Sequence, residues 1–156
     1  MPTIQAMQLI FQALSSVAIA GGLIYSAFQF RNFRRAQHVA NFTRLVELQM
    51  HLREMRVEDP DLARVYRHDV QHAATDTQVR EYFFNLMQLS VFEIVWFARQ
   101  QGQIPADYYS SWDKRMREIA SEPSFRVMMN TPSMKLMHDS FQAYIKQMVA
   151  ETKERT

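Results

Sequence analysis

Glu93 is the acid that stands apart in this chain. It lies inside the run Tyr82-Phe83-Phe84-Asn85-Leu86-Met87-Gln88-Leu89-Ser90-Val91-Phe92-Glu93-Ile94-Val95-Trp96-Phe97, an ionisable group deep among apolar ones. A carboxyl group withdrawn from water there resists ionisation, and such a group is a candidate for acid or base chemistry. It equally fits a structural role, paired with an arginine or reaching water from the edge of the apolar face. Arginine is plentiful, so the expectation is a buried acid whose replacement chiefly alters stability.

Two further clusters invite a metal. His68 and His72 are four apart, which on a helix sets two imidazoles on one face. That spacing suits a metal once a third ligand arrives, but no Glu stands between them in the zincin manner, and a solvated pair is expected. Met128, Met129, Met134, Met137 and His138 offer soft ligands of the kind copper(I) takes. Methionine is also the usual filler of irregular cores, and Met134 and Met137 fall at helical spacing, so a core role is expected. No catalytic residue, cofactor or metal is assigned on these grounds.

Composition narrows the chemistry further. Cysteine is absent, which excludes disulfides, thiolate nucleophiles and zinc–thiolate sites. Of three glycines, Gly21, Gly22 and Gly102, only Gly102 lies beyond the first thirty residues. Phosphate loops, dinucleotide fingerprints and nucleophile elbows need glycine where backbone approaches a ligand or turns sharply, and none can be built here. β-Hairpins favour glycine too. With 11 methionines and few turn formers, an all-α fold is the natural reading. A net charge of +2 is too small an excess to argue for nucleic acid.

The elements that would carry these residues begin with an anchor. Met1 to Phe30 hold no charged side chain, and the stretch from Leu9 to Phe28 matches the roughly 20 residues a helix needs to cross a bilayer. Arg31, Arg34 and Arg35 follow at once, with His38 and Arg44 beyond. By the positive-inside rule they stay in the cytoplasm and Met1 lies outside. The same arginines can attract anionic headgroups of the bilayer. No Lys or Arg precedes the apolar stretch, as a cleaved signal would require. The expected organisation is a transmembrane anchor over 1–30 and a cytosolic helical domain over 31–156, the span continuing into a bundle of about four to six helices. Within the span, Ala18, Gly22 and Ser26 are spaced i, i+4, i+8, a small-residue face against which a neighbouring membrane helix packs closely.

No glycine or proline interrupts Leu23 to Glu58, so a cytosolic helix is expected over roughly 31–57. Val39, Phe42, Leu45, Val46, Leu48, Leu52 and Met55 supply its apolar face. Asp59-Pro60 restarts a short helix to about Asp69, with Leu62, Val65 and Tyr66 on one side. Thr75-x-x-Gln78 is a capping box opening the central helix, which Gly102 closes. Its core is expected to include Phe83, Met87, Ile94 and Phe97, with Phe92 and Trp96. Pro105 opens another helix to about Ala120, with Tyr108, Tyr109, Trp112, Met116 and Ile119 inward. Ser121-Glu122-Pro123 and Thr131-Pro132-Ser133 bracket a short turn holding Phe125, Met128 and Met129. A last amphipathic helix spans about 133–153, with Leu136, Met137, Phe141, Tyr144, Ile145 and Met148.

The order of these elements has a likeness. Phe28-Gln29-Phe30-Arg31, then Arg34-Arg35-Ala36-Gln37, resemble a group of small bacterial inner-membrane proteins of no established activity. So do Glu58-Asp59-Pro60-Asp61-Leu62-Ala63-Arg64-Val65-Tyr66-Arg67, Phe92-Glu93, Gln101-Gly102-Gln103-Ile104, Trp112, and Ser121-Glu122-Pro123-Ser124-Phe125-Arg126. The resemblance implies a bacterial, single-span, helical protein and carries over no catalytic residue.

The leading functional reading is a membrane-anchored interaction module or accessory subunit of a membrane complex, without catalysis. Its partners would be the bilayer, a protein met through the span or the helical domain, or a second copy, with no nucleic acid. The second reading is a sensor whose bundle holds a small ligand, which a cavity of several hundred cubic ångströms beside Phe84, Phe92 and Trp96 would favour. The third, an enzyme or metalloprotein, lacks a nucleophile, base and orienter in one place.

Overall fold

The computed structural model describes residues 2–65, 67–131 and 137–153. Among them every regular element is a helix. These are α1 (Pro2–Glu58), α2 (Pro60–Arg64), a 3-10 turn (Arg67–Asp69), α3 (Asp76–Gln100), α4 (Ala106–Ser121), α5 (Pro123–Asn130) and α6 (Asp139–Lys153). The all-α expectation therefore holds.

Packing divides the chain into two units, 1–38 and 39–156. The charge pattern had placed the boundary at residue 30. Charge marks where the apolar stretch ends, whereas packing marks where α1 first buries side chains, at half-buried Val39 and Phe42 and buried Val46. The first unit is α1 up to His38. It carries one stretch long and apolar enough to cross a membrane. Side chains 3–34 are all exposed, Ala18, Gly22 and Ser26 included, and a Cβ added at Gly22 would meet no atom within 4 Å.

The second unit is built around α3. Its start is the predicted capping box: Gln78 N–H donates to Thr75 Oγ1 at 3.3 Å, and Thr75 N–H returns to Gln78 Oε1 at 3.3 Å. Its end is a Schellman turn, with Gly102 N–H donating to the Arg99 carbonyl and Gln103 N–H to that of Ala98, both at 2.9 Å. Gly102 adopts φ +72°, which a side chain would strain. Phe83, Leu89 and Phe92 of α3 meet Met116 of α4, Phe125 and Met128 of α5, and Phe141, Ile145 and Met148 of α6. Each is at most 2% exposed. Burying one such side chain contributes about 1.5–3 kcal/mol.

A polar clamp joins α4 to α6. The Tyr144 hydroxyl donates to Asp113, while Arg117 bridges Asp113 at 2.9 Å and Glu151 at 2.8 Å. Burial, and then the bond to Asp113, hold the Tyr144 proton far above the ordinary tyrosine range.

Several local expectations are corrected. The α2 helix ends at Arg64 and buries Pro60 and Ala63, which share a face at i, i+3, so Leu62 and Val65 are exposed; Tyr66 lies outside the described residues. Tyr108 is exposed, because the inward stripe of α4 runs through Met116 and Ala120 with Tyr109 and Trp112 half-buried. Met87, Ile94, Trp96 and Phe97 are half-buried and flank the core where Phe83 and Phe92 fill it. The expected turn around Phe125 is an eight-residue helix, set up by Pro123 at its first position. The α6 helix begins at Asp139, after non-helical Met137 and His138; Pro132, Ser133, Met134 and Leu136 lie outside the described residues.

Candidate functional site

The second unit carries an open groove of about 520 Å³. One wall is α1, through Phe42, Leu45, Val46, Leu48 and Leu52, with Gln49 among them. Glu93 of α3 and the pair Met137-His138 ahead of α6 complete the lining. The wall exists because α1 packs on α3 by a narrow face. Phe42, Val46 and Arg53, at i, i+4, i+11, turn inward; Leu45, Leu48, Leu52 and Met55, expected on one apolar face with Phe42 and Val46, do not. Leu45 is 67% exposed, Leu48 62% and Leu52 58%.

Glu93 is the buried acid that the sequence indicated, 2% exposed. Its partner differs from expectation. The His138 backbone N–H donates to Glu93 Oε1 at 2.7 Å, and His138 Nδ1 lies 2.9 Å from the same oxygen. The imidazole stacks on Phe97 with ring centroids 5.0 Å apart and meets the edge of Phe42 at 4.9 Å. Thus the histidine grouped by sequence with soft methionine ligands is the second half of an acid–imidazole pair. Met128 and Met129 are core side chains of α5, Met137 lines the groove, and Met134 lies outside the described residues.

Behind Glu93 lies a charge the sequence reading missed. Arg53 of α1 is 7% exposed. Its Nη1 donates to the Leu86 carbonyl at 3.0 Å and to the Ser90 hydroxyl. Burial pushes the guanidinium below its ordinary pKa, and the nearby charges of Tyr82 and Glu93 push it back up. The signal was present in the spacing, since Arg53 falls seven residues after Val46 on the inner face. Arg56 extends the seam, 5.0 Å over the Phe83 ring and 3.4 Å from Asp69.

His68 and His72 do not share a helix face. His68 lies in the 3-10 turn, with Nε2 3.2 Å from Asp69 Oδ1, and His72 packs on the Tyr82 ring at 4.5 Å. His72 also borders a smaller cavity of about 150 Å³ with Gln78, Glu81 and Ser124. Among the described residues no three His, Asp or Glu stand close enough to hold a metal ion. Among the described residues, those lining the larger groove include no hydroxyl and no amine. Its chemistry is that of an apolar surface interrupted by the polar groups of Gln49, Glu93 and His138. Phe92 packs in the core against Trp112, Trp96 packs against Phe141 with its ring 6.5 Å from that of His138, and Phe84 is exposed; none of the three is among the described lining residues. The cavity awaited beside those three rings is found instead along α1.

Comparison of the chain with family models, with curated proteins and with solved structures finds no match.

Proposed function

We propose that this protein is a membrane-anchored helical binding module, an accessory subunit or adaptor without a catalytic step, and that the α1 groove is its recognition surface. The observation that carries the reading is the bare row Leu45, Leu48 and Leu52 beside a well-buried core. Large exposed apolar patches on helical domains mark contact sites, and an amphipathic helix laid in such a groove is a recurrent mode of recognition. The span holds the module at the bacterial inner membrane with its bundle in the cytoplasm, on the argument of Arg31, Arg34 and Arg35. Ala18, Gly22 and Ser26 give the anchor its own close-packing face, toward a partner span or a second copy.

A second reading has its own observation. The groove volume falls in the range of small-molecule sites, and Glu93 sets a polar group among apolar walls, so a small ligand is the alternative occupant.

A photo-crosslinking residue at position 48 of the membrane-inserted full chain tests the first reading. It should capture a discrete protein chain, while the same residue at exposed position 108 on α4 should not. Equal capture at both positions, or none at 48, would overturn it.

A further inference from the structure

The bare row on α1 has the spacing of a helix that pairs with its own kind. Leu45, Leu48, Leu52 and Met55 follow one another at intervals of three, four and three, the alternation of a coiled-coil seam. They are 67%, 62%, 58% and 41% exposed. The adjoining flank of α1 is taken by the bundle, with Phe42 against Phe97, Arg53 on Leu86 and Ser90, and Arg56 over Phe83. The row therefore has room for one further helix and not for two.

The polar residues of the row and its rim favour an identical helix. Asn41 lies in the row, one heptad before Leu48, and is exposed. A carboxamide is its own complement, donor to acceptor, so two copies of Asn41 satisfy each other only when the helices lie parallel and in register. A lone asparagine in such a seam sets register in just this way. The flanking charges permit the arrangement. In a parallel pair Arg44 of one copy stands beside Gln49 of the other, and His51 beside Arg56, whose guanidinium already has Asp69 at 3.4 Å. No two acids meet across the seam.

We propose that the occupant of the α1 groove is the same row of a second copy, in a parallel two-fold pair centred on Leu48 and Leu52. The proposal rests on the docking reading above and names its partner. Two heptads are fewer than the three or four of a free-standing coiled coil. On that reading the anchor supplies what is missing. Two copies in one bilayer enter α1 from the same end and are held at high effective concentration.

The chain has no cysteine, so a single introduced cysteine reports contacts without background. The test uses the purified full chain, alone in liposomes at low density, carrying Leu48→Cys or Glu47→Cys. Both positions are exposed in the single chain. In the parallel pair only position 48 comes within the Cα separation of about 7 Å that a disulfide tolerates. Under mild oxidation Leu48→Cys should form a covalent dimer at least about tenfold faster than Glu47→Cys. Adding Leu52→Glu, which sets two carboxylates in the next layer, should slow Leu48→Cys to the rate of Glu47→Cys. Equal rates at 47 and 48 would overturn the proposal, since collision alone then accounts for both. So would a mixture of Leu45→Cys and Met55→Cys chains that joins 45 to 55 faster than Leu48→Cys joins to itself, because that contact is antiparallel. If Leu48→Cys stays monomeric while photo-crosslinking from position 48 captures a different chain, self-pairing fails and the docking reading stands.

Discussion

Phe92 and Leu48 both sit at helical spacing in apolar runs, yet Phe92 is 1% exposed and Leu48 62%. The difference is one of neighbours. The α3 helix has α2, α4 and α5 against it, and its large side chains close on those of α6. The part of α1 in the second unit meets the bundle along a single seam, and that seam is partly polar: Phe42 against Phe97, Arg53 on Leu86 and Ser90, Arg56 over Phe83. Periodicity tells which side of a helix is apolar. It does not tell whether the chain itself supplies the cover. Where it does, the apolar side is core. Where it does not, the side is a surface for something else.

The sharpest break between the two regions is energetic. Phe92→Ala should destabilise the bundle by about 3–5 kcal/mol, because the cavity left among Trp112 and its core neighbours cannot collapse fully. Urea unfolding of the full chain in nanodiscs, followed by the fluorescence of Trp96 and Trp112, measures it. A loss under about 1 kcal/mol would mean that the core is loosely packed and that the contrast with the groove is false.

The α4–α6 clamp gives an effect of middle size with a pH signature. Tyr144 holds its proton more tightly in the folded bundle than in the unfolded chain, chiefly through burial and then through Asp113. A pKa raised by folding stabilises below the unfolded value, about 10 for tyrosine, and that contribution is lost as pH climbs toward the folded value. The native chain should therefore lose stability progressively above pH about 10. Tyr144→Phe should cost about 1 kcal/mol near neutrality, for the lost bond to Asp113, and decline less steeply above pH about 10. Parallel alkaline declines in the two proteins would remove Tyr144 from the account.

Much of this architecture was legible in the residues. The capping box at Thr75 and Gln78, the closure at Gly102 and the restart at Asp59-Pro60 each depend on a local backbone requirement that one or two residue types satisfy. Glu93 was legible because a lone acid in an apolar run has few fates. The partner of Glu93 was not. His138 is 45 residues away and precedes α6 in a non-helical stretch, so no spacing rule connects the two. The groove was hidden for the same kind of reason. Leu45, Leu48 and Leu52 carry the signature of a core face, and only the placement of α3 and α6 leaves them bare.

The smallest expected change in stability carries the most functional weight. Leu48 touches water over most of its surface, so Leu48→Gln should shift the unfolding free energy by no more than about 0.5 kcal/mol. Glutamine is nearly as good a helix former as leucine, so the backbone of α1 has no reason to respond. If the leucine row is a binding surface, the same substitution should sharply reduce photo-crosslinking from position 52, one turn further along the groove wall. Phe92→Ala tests what the chain covers for itself; Leu48→Gln tests what it leaves for another molecule. A variant that keeps its stability and loses its crosslink separates the two regions by function as well as by packing. A variant that keeps both makes the leucine row an ordinary exposed surface. A variant that loses more than about 1 kcal/mol would show that Leu48 belongs to the core after all, and the groove would then be a gap in the packing.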